Sequence, residues 1–348
     1  MVERFELAKD YTISRVINGC WQLSEGHSLK ANLDMQDVMK AFHMLAERGF
    51  TTFDCADIYT GTEEFLGEFL TELKSGSALS PHDIQIHTKY VPDLQLLSQV
   101  DYNYTENIID RSLKRQKRDV LDLVQFHWWD YNVPGYVETA GDLLKLKEKG
   151  KIRNIAVTNF DTKHLSEIVD AGIPIVSCQN QYSVFDRRVE KELLPYCRNK
   201  GITLLCYGTL SGGLLAEKWI GTEEVDPDNR SLVKYLQVVE ETLGWNAYQE
   251  LLLLLKRIAK KHAVNIAQVA TKYILSQEGV GASIIGVRNS SHVESNARIF
   301  NFELDQSDID EIEQFLSNYP TLEGEPFELE RTAGSKFRNI MKMNLNEE

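Results

Sequence analysis

Short apolar runs alternate with longer stretches whose apolar residues recur every three to four positions, and the alternation persists from Ile13 to Phe300. Runs of the first kind read as buried strands and stretches of the second as amphipathic helices. The predicted pairs begin with a strand over Ile13–Gly19 and a helix over Met35–Arg48, then Thr51–Cys55 with Glu63–Leu73. Ile84–Thr88 precedes Thr105–Arg115, Leu121–Phe126 precedes Val137–Lys149, and Ile155–Val157 precedes Lys163–Asp170. Ile175–Gln179 leads to Val189–Asn199, and Thr203–Cys206 to the helices Tyr248–His262 and Ile266–Ser276. Ser283–Ile285 and His292–Phe300 form the last pair. Glycines at 49, 150, 172 and 201 close four of the helices.

Strands alternating with helices of this length predict a parallel sheet, and eight such units predict a closed (β/α)8 barrel. The seventh unit carries the largest insertion, Leu214–Trp245, which is acidic and reads as turn-rich around residues 226–229. A ninth helix over Ser307–Ser317 and a polar tail running to Glu348 fall outside the count. No low-complexity linker interrupts the pattern, so the chain reads as one domain, with the barrel over about 12–304 and the extra helix and tail over 305–348.

The 348 residues suffice for a large core without metal or disulfide support. The five-residue run Leu251–Leu255 is far short of the roughly 20 apolar residues that a bilayer span needs. A net charge of −14 repels phosphate backbones, so no nucleic-acid partner is expected. The basic stretch Arg111–Arg118 lacks interleaved aromatics and reads as a solvated helix face. Five cysteines without a close pair give neither a disulfide framework nor a zinc site. No apolar leader opens the chain, which predicts a reducing, cytoplasmic setting.

Residues at the C-terminal ends of barrel strands face the reacting site. The second strand ends in Asp54-Cys55-Ala56-Asp57-Ile58-Tyr59, the third in His87-Thr88-Lys89 and the fourth in Gln125-Phe126-His127-Trp128-Trp129. One rim thus collects a carboxylate, a phenol, an ammonium and an imidazole. An ammonium roughly 4 Å from a phenolate stabilises it by up to about 4 kcal/mol, or about 3 pKa units. A carboxylate beside that lysine keeps it charged despite burial. An imidazole that donates one N–H can orient a carbonyl oxygen next to the phenol. Such a site places a proton on an oxygen or removes one.

The segments Thr52–Tyr59 with Leu66-Gly67, and Ser112–Arg115 followed by Leu121–His127, resemble the two signatures of the aldo-keto reductase family. The likeness runs from about Ile13 to Leu304 and implies that Asp54, Tyr59, Lys89 and His127 form the catalytic tetrad. It also implies a nicotinamide cofactor bound without a Rossmann domain; no GxGxxG follows a strand here. By resemblance, Thr158, Asn159 and Gln181 hold the carboxamide, Tyr207 stacks on the nicotinamide ring, and Gly208, Thr209, Leu210 and Gly212 approach the pyrophosphate. Arg288, His292 and Asn296 match the adenosine end, although His292 stands where many members carry Arg or Gln, and Ser295 where they carry Glu. Arg288 favours NADP(H), with NAD(H) as the alternative.

The activity implied is reversible reduction of an aldehyde, ketone or sugar to an alcohol, with Tyr59 as proton donor. Trp21, Trp128 and Trp129 are expected to wall the substrate pocket, and the insertion and tail to close over it. Family members that bind NADP(H) and regulate a partner protein supply the alternative, a slow redox sensor. A metal-dependent hydrolase needs a His-x-His or carboxylate cluster at strand ends, and His127-Trp-Trp-Asp130 is a thin candidate for one.

Overall fold

The computed structural model describes residues 2–24, 33–76, 79–223, 225–227 and 229–340. Residues 224 and 228 of the insertion, and 341–348 of the predicted tail, lie outside them. The chain starts with an antiparallel hairpin, β1 (Arg4–Ala8) and β2 (Tyr11–Ser14). Eight parallel strands then close into a barrel in chain order: β3 (Val16–Gly19), β4 (Thr52–Asp54), β5 (Gln85–Tyr90), β6 (Leu121–Phe126), β7 (Ile152–Thr158), β8 (Ile175–Gln181), β9 (Thr203–Tyr207) and β10 (Val280–Gly286). The ring is sealed where Ser283 of β10 pairs with Val16 of β3.

Around the barrel lie α1 (Met35–Glu47), α2 (Thr62–Gly76), α3 (Tyr102–Gln116), α4 (Tyr136–Glu148), α5 (Thr162–Asp170) and α6 (Leu193–Lys200). They are followed by α7 (Arg230–Thr242), α8 (Gly244–Lys261), α9 (Ile266–Leu275), α10 (Val293–Ala297), α11 (Gln306–Leu316) and α12 (Glu328–Arg331). Side-chain caps fix several starts: Asp34, Asp101, Asp161, Asn229, Asn265 and Asp305 each accept from a backbone N–H in the first turn of the helix that follows. Gly67 lets α2 approach α3 closely, since a Cβ there would sit 2.3 Å from the Arg115 carbonyl oxygen.

Four expectations need correction. The strand read as Ile13–Gly19 breaks at Arg15, which donates to the carbonyls of Leu275, Val280 and Gly281. Its first half pairs with the unforeseen β1, and the hairpin carries Leu7, Tyr11 and Ile13 onto Ile17, Leu123, Ala156, Leu205 and Ala282. The turn that makes this hairpin places Asp10 at φ 58, a left-handed position without the usual glycine signal. The helix read from Val189 starts at Leu193, after a separate 3-10 turn over Arg188–Glu190. The insertion, read as turn-rich, contains α7, whose buried Leu232, Tyr235, Val238 and Val239 face inward at helical spacing. The basic stretch is not simply a solvated face: Ser112 and Gln116 are buried on Glu63, and Arg118 donates to the carbonyls of Pro81 and Ile84. Among the described residues no helix is long and apolar enough to cross a membrane.

Candidate active site

Strand register brings the four rim residues together. Asp54 ends β4, Lys89 lies one residue from the end of β5, and His127 directly follows β6. Tyr59 is presented by the tight turn after β4, where its N–H donates to the Ala56 carbonyl at 3.1 Å. Lys89 Nζ donates to Asp54 Oδ2 at 2.6 Å and to the Cys55 carbonyl at 2.9 Å, and both side chains are buried. The same ammonium stands 5.1 Å from the centre of the Tyr59 ring, whose other neighbour is Trp21, with ring centres 4.8 Å apart.

Two residues that the sequence reading passed over complete the carboxylate's environment. Gln125 of β6 and Gln179 of β8 both donate to Asp54 Oδ1, at 2.8 and 2.6 Å, and Gln179 also donates to Gln125 Oε1. The signal was present, because an amide in an apolar barrel strand is buried and needs partners. Burial works against the Lys89 ammonium, but Asp54 and Tyr59 together outweigh it and hold the lysine above its ordinary value. For Tyr59 the balance runs the other way. Burial outweighs Lys89 and pushes the phenol up to about 12, so the expected lowering is absent and Tyr59 keeps its proton at neutral pH.

The His127 Nδ1–H donates to the Thr158 carbonyl at 3.1 Å. Burial, helped by the charge of Arg331, brings the imidazole down to about 3, so the ring is neutral at physiological pH. A neutral ring with its proton on Nδ1 leaves Nε2 as an acceptor. That nitrogen is buried and has no hydrogen-bond partner among the described residues. His127 therefore offers a lone pair where the sequence suggested a donor.

Trp129 meets His127 edge-on at 4.5 Å. Trp128 is a correction to the expected pocket wall: strand alternation turns it outward. Its ring is fully buried against Phe126, and its Nε1–H donates to the Val133 carbonyl.

The residues matched to a nicotinamide cofactor line the opposite side of the mouth. Asn159, at φ 60, accepts from Tyr207 Oη at 2.8 Å, and Thr158 is buried. Gln181 donates Nε2–H to Asp186, while its Oε1 is buried and has no partner among the described residues. In the loop after β9, Thr209 is turned inward and accepts from Ser283, and Leu210 packs against the core. Gly208 and Gly212 take φ 72 and 65, and the faces on which they lack a Cβ are covered by the Tyr235 ring of α7. Arg288 lies just past β10, with His292 and Asn296 in the turn and short helix beyond it. Arg288 makes no hydrogen bond or ion pair with another described residue.

The tail reaches the same mouth. Phe327, at φ 64, lies edge-on to His127 at 5.3 Å. Glu330 is buried and pairs with Lys234 of α7 at 2.8 Å and with Arg188 at 3.7 Å. Arg188 in turn forks onto Asp186 with two contacts of 2.9 Å. Burial would raise the Glu330 carboxyl, but Lys234 and Arg188 outweigh it and bring it down to about 2.

A model of the Aldo/keto reductase family matches residues 15–317. The aldo-keto reductase YhdN of Bacillus subtilis is 28% identical over 311 residues, 88% of this chain and 90% of that protein. The NADH-specific methylglyoxal reductase of Escherichia coli is 27% identical, covering 86% of this chain and 93% of its own. The structure of the glycerol dehydrogenase from Gluconobacter oxydans superposes with a TM-score of 0.77 at 23% identity, covering 93% and 98% of the two chains. With its closed parallel barrel and a family match over most of its length, this chain belongs to the aldo/keto reductase family.

Proposed function

We propose that the chain reversibly reduces an aldehyde or ketone, a sugar included, with NADP(H) as its preferred nicotinamide cofactor and Tyr59 as the proton donor. The observation that carries this reading is the buried Asp54–Lys89 pair beside the Tyr59 ring, on the rim where His127 Nε2 has no partner. The cofactor's chemistry is hydride donation to the carbonyl carbon. The residues matched to it fit that group: Gln181 Oε1 is an unmet acceptor for a carboxamide N–H, and the Ser211 hydroxyl beside Gly212 is also buried and unmet. Arg288, with no partner among the described residues, suits a 2′-phosphate and supports NADP(H) over NAD(H).

Tyr59 supplies its phenolic proton to the carbonyl oxygen as negative charge develops there. Lys89 stabilises the phenolate left behind, and Asp54, steadied by Gln125 and Gln179, keeps the lysine charged. His127 then accepts from the new hydroxyl at Nε2, which favours the alcohol rather than polarising the carbonyl. Proton transfer of this kind contributes about 10²–10⁴-fold. The test is oxidation of NADPH and NADH by aromatic aldehydes, dicarbonyls and aldoses, run beside Tyr59→Phe. Turnover that the variant loses supports the assignment, and wild-type rates in the variant exclude Tyr59 as the donor.

One observation favours a second reading, a slow NADP(H)-binding sensor acting on a partner protein. The mouth is covered by Tyr235 and the tail, and such a cover would slow exchange at the site. Tight NADPH binding without turnover across the same panel would select it.

A further inference from the structure

Five charged side chains meet on the covered side of the mouth, and four of them neutralise one another. Arg188 forks onto Asp186, and Lys234 pairs with Glu330. The fifth, Arg331 at the end of α12, pairs with no carboxylate among the described residues. Its Nη2–H donates to the Trp128 carbonyl at 2.9 Å. The guanidinium lies 4.3 Å from the Tyr131 ring centre and 5.1 Å from that of Phe327. Its Nε is buried and has no hydrogen-bond partner among the described residues. Phe327 in turn touches His127, with ring centres 5.3 Å apart, so one aromatic ring separates the unpaired cation from the imidazole of the candidate site.

An unpaired buried N–H on a guanidinium is costly, and in a chain of net charge −14 a carboxylate partner would be easy to supply. Tyr131 and Phe327 crowd the guanidinium, so an anion has to meet it at its edge, which a planar carboxylate matches with two parallel hydrogen bonds. The geometry points to an anion subsite in the substrate pocket, where Arg331 takes the carboxylate of a carbonyl compound whose reacting end lies at His127 and Tyr59. The substrate class is then the oxo acids, with a short spacer between carbonyl and carboxylate. This inference rests on the reductase reading above.

The test compares kcat/KM for ω-oxo carboxylates of graded chain length with that for neutral aldehydes of equal length, in wild type and Arg331→Leu. Wild type should prefer the acids. The variant should lose about 10- to 100-fold on the acids alone, chiefly through KM, while the neutral aldehydes are unchanged. Equal loss on both series would overturn the subsite and make Arg331 a brace for Phe327 and Trp128. So would a wild type that shows no preference for the acids. Arg331→Lys, which keeps the charge but not the fork, should fall between. If neither variant folds, wild type still decides: short saturated carboxylates should inhibit neutral-aldehyde reduction competitively, less so at high salt. Absence of that inhibition would overturn the subsite. Failure of wild type to reduce any carbonyl, neutral or acidic, would sink the reductase reading itself and the subsite with it.

Discussion

The two sides of the barrel mouth are built in opposite ways. On the β4–β6 side, Asp54, Lys89 and His127 come from consecutive strands held in register by backbone ladders, as where Asp54 faces His87 and Lys89 faces Gln125. On the β8–α7–tail side, Asp186, Arg188, Lys234 and Glu330 come from segments far apart in the chain and meet only through their side chains. The first side is positioned by geometry that any barrel supplies. The second depends on buried charges, whose pairing is strong only while every partner is present. A site whose rim is set by strand register and whose cover is held by ions can therefore lose either property separately.

Tyr59→Phe should break the rigid side alone. We expect kcat to fall by about 10²–10⁴-fold, with NADPH affinity by fluorescence titration unchanged, since the ring and its packing on Trp21 remain. Glu330→Ala should break the other side. It leaves Lys234 and Arg188 beside an empty place, and we expect a loss of about 3–5 kcal/mol in urea denaturation together with earlier proteolysis of the tail. If stability holds while the tail is cut, the cover docks independently of the barrel.

Gln179→Leu sharpens the comparison, because it alters Asp54 from inside the ring. Losing one amide donor to a charged acceptor should lower kcat about tenfold with KM unmoved, and a KM effect instead would place Gln179 in binding. Acid should act on both sides of the mouth. Glu330 is held at about 2, so its ion pairs stabilise the fold above the ordinary carboxylate value near 4.3, and this is lost as pH falls towards 2. His127, depressed to about 3, adds a second loss: the unfolded imidazole takes up a proton below about 6.5, so stability declines from there downward. Near-UV circular dichroism from pH 7 to 2 should show both. The smallest effect expected is none. With Tyr59 at about 12 and His127 at about 3, neither group should bend kcat/KM for reduction of a neutral aldehyde between pH 6 and 9.

The same contrast governs what could be read from sequence. That Asp54, Tyr59, Lys89 and His127 share a rim was legible because strand ends declare themselves by local pattern, and side chains on adjacent ends meet there. The direction of the Tyr59 shift was not legible, since burial and the Lys89 charge oppose each other and only their distances set the sum. Trp128 was misassigned because adjacent residues at a strand end point to opposite faces. Phe327, Glu330 and Arg331 lie in a tail without hydrophobic period, and their partners lie in α7 and in the segments after β6 and β8, so no local rule connects them. The hairpin escaped for a similar reason, its left-handed turn residue being Asp10 rather than glycine.

The seam between β10 and β3 has a kinetic consequence. Val16 and Ser283 must find each other across most of the chain before the ring exists, and loop-closure entropy has to be met before such pairings reward it. Until then β3 and β10 are open strand edges, the kind of surface on which partly folded chains associate. Refolding of this protein should accordingly be slow and should lose yield as concentration rises, with the seam as the step that chaperoning would protect.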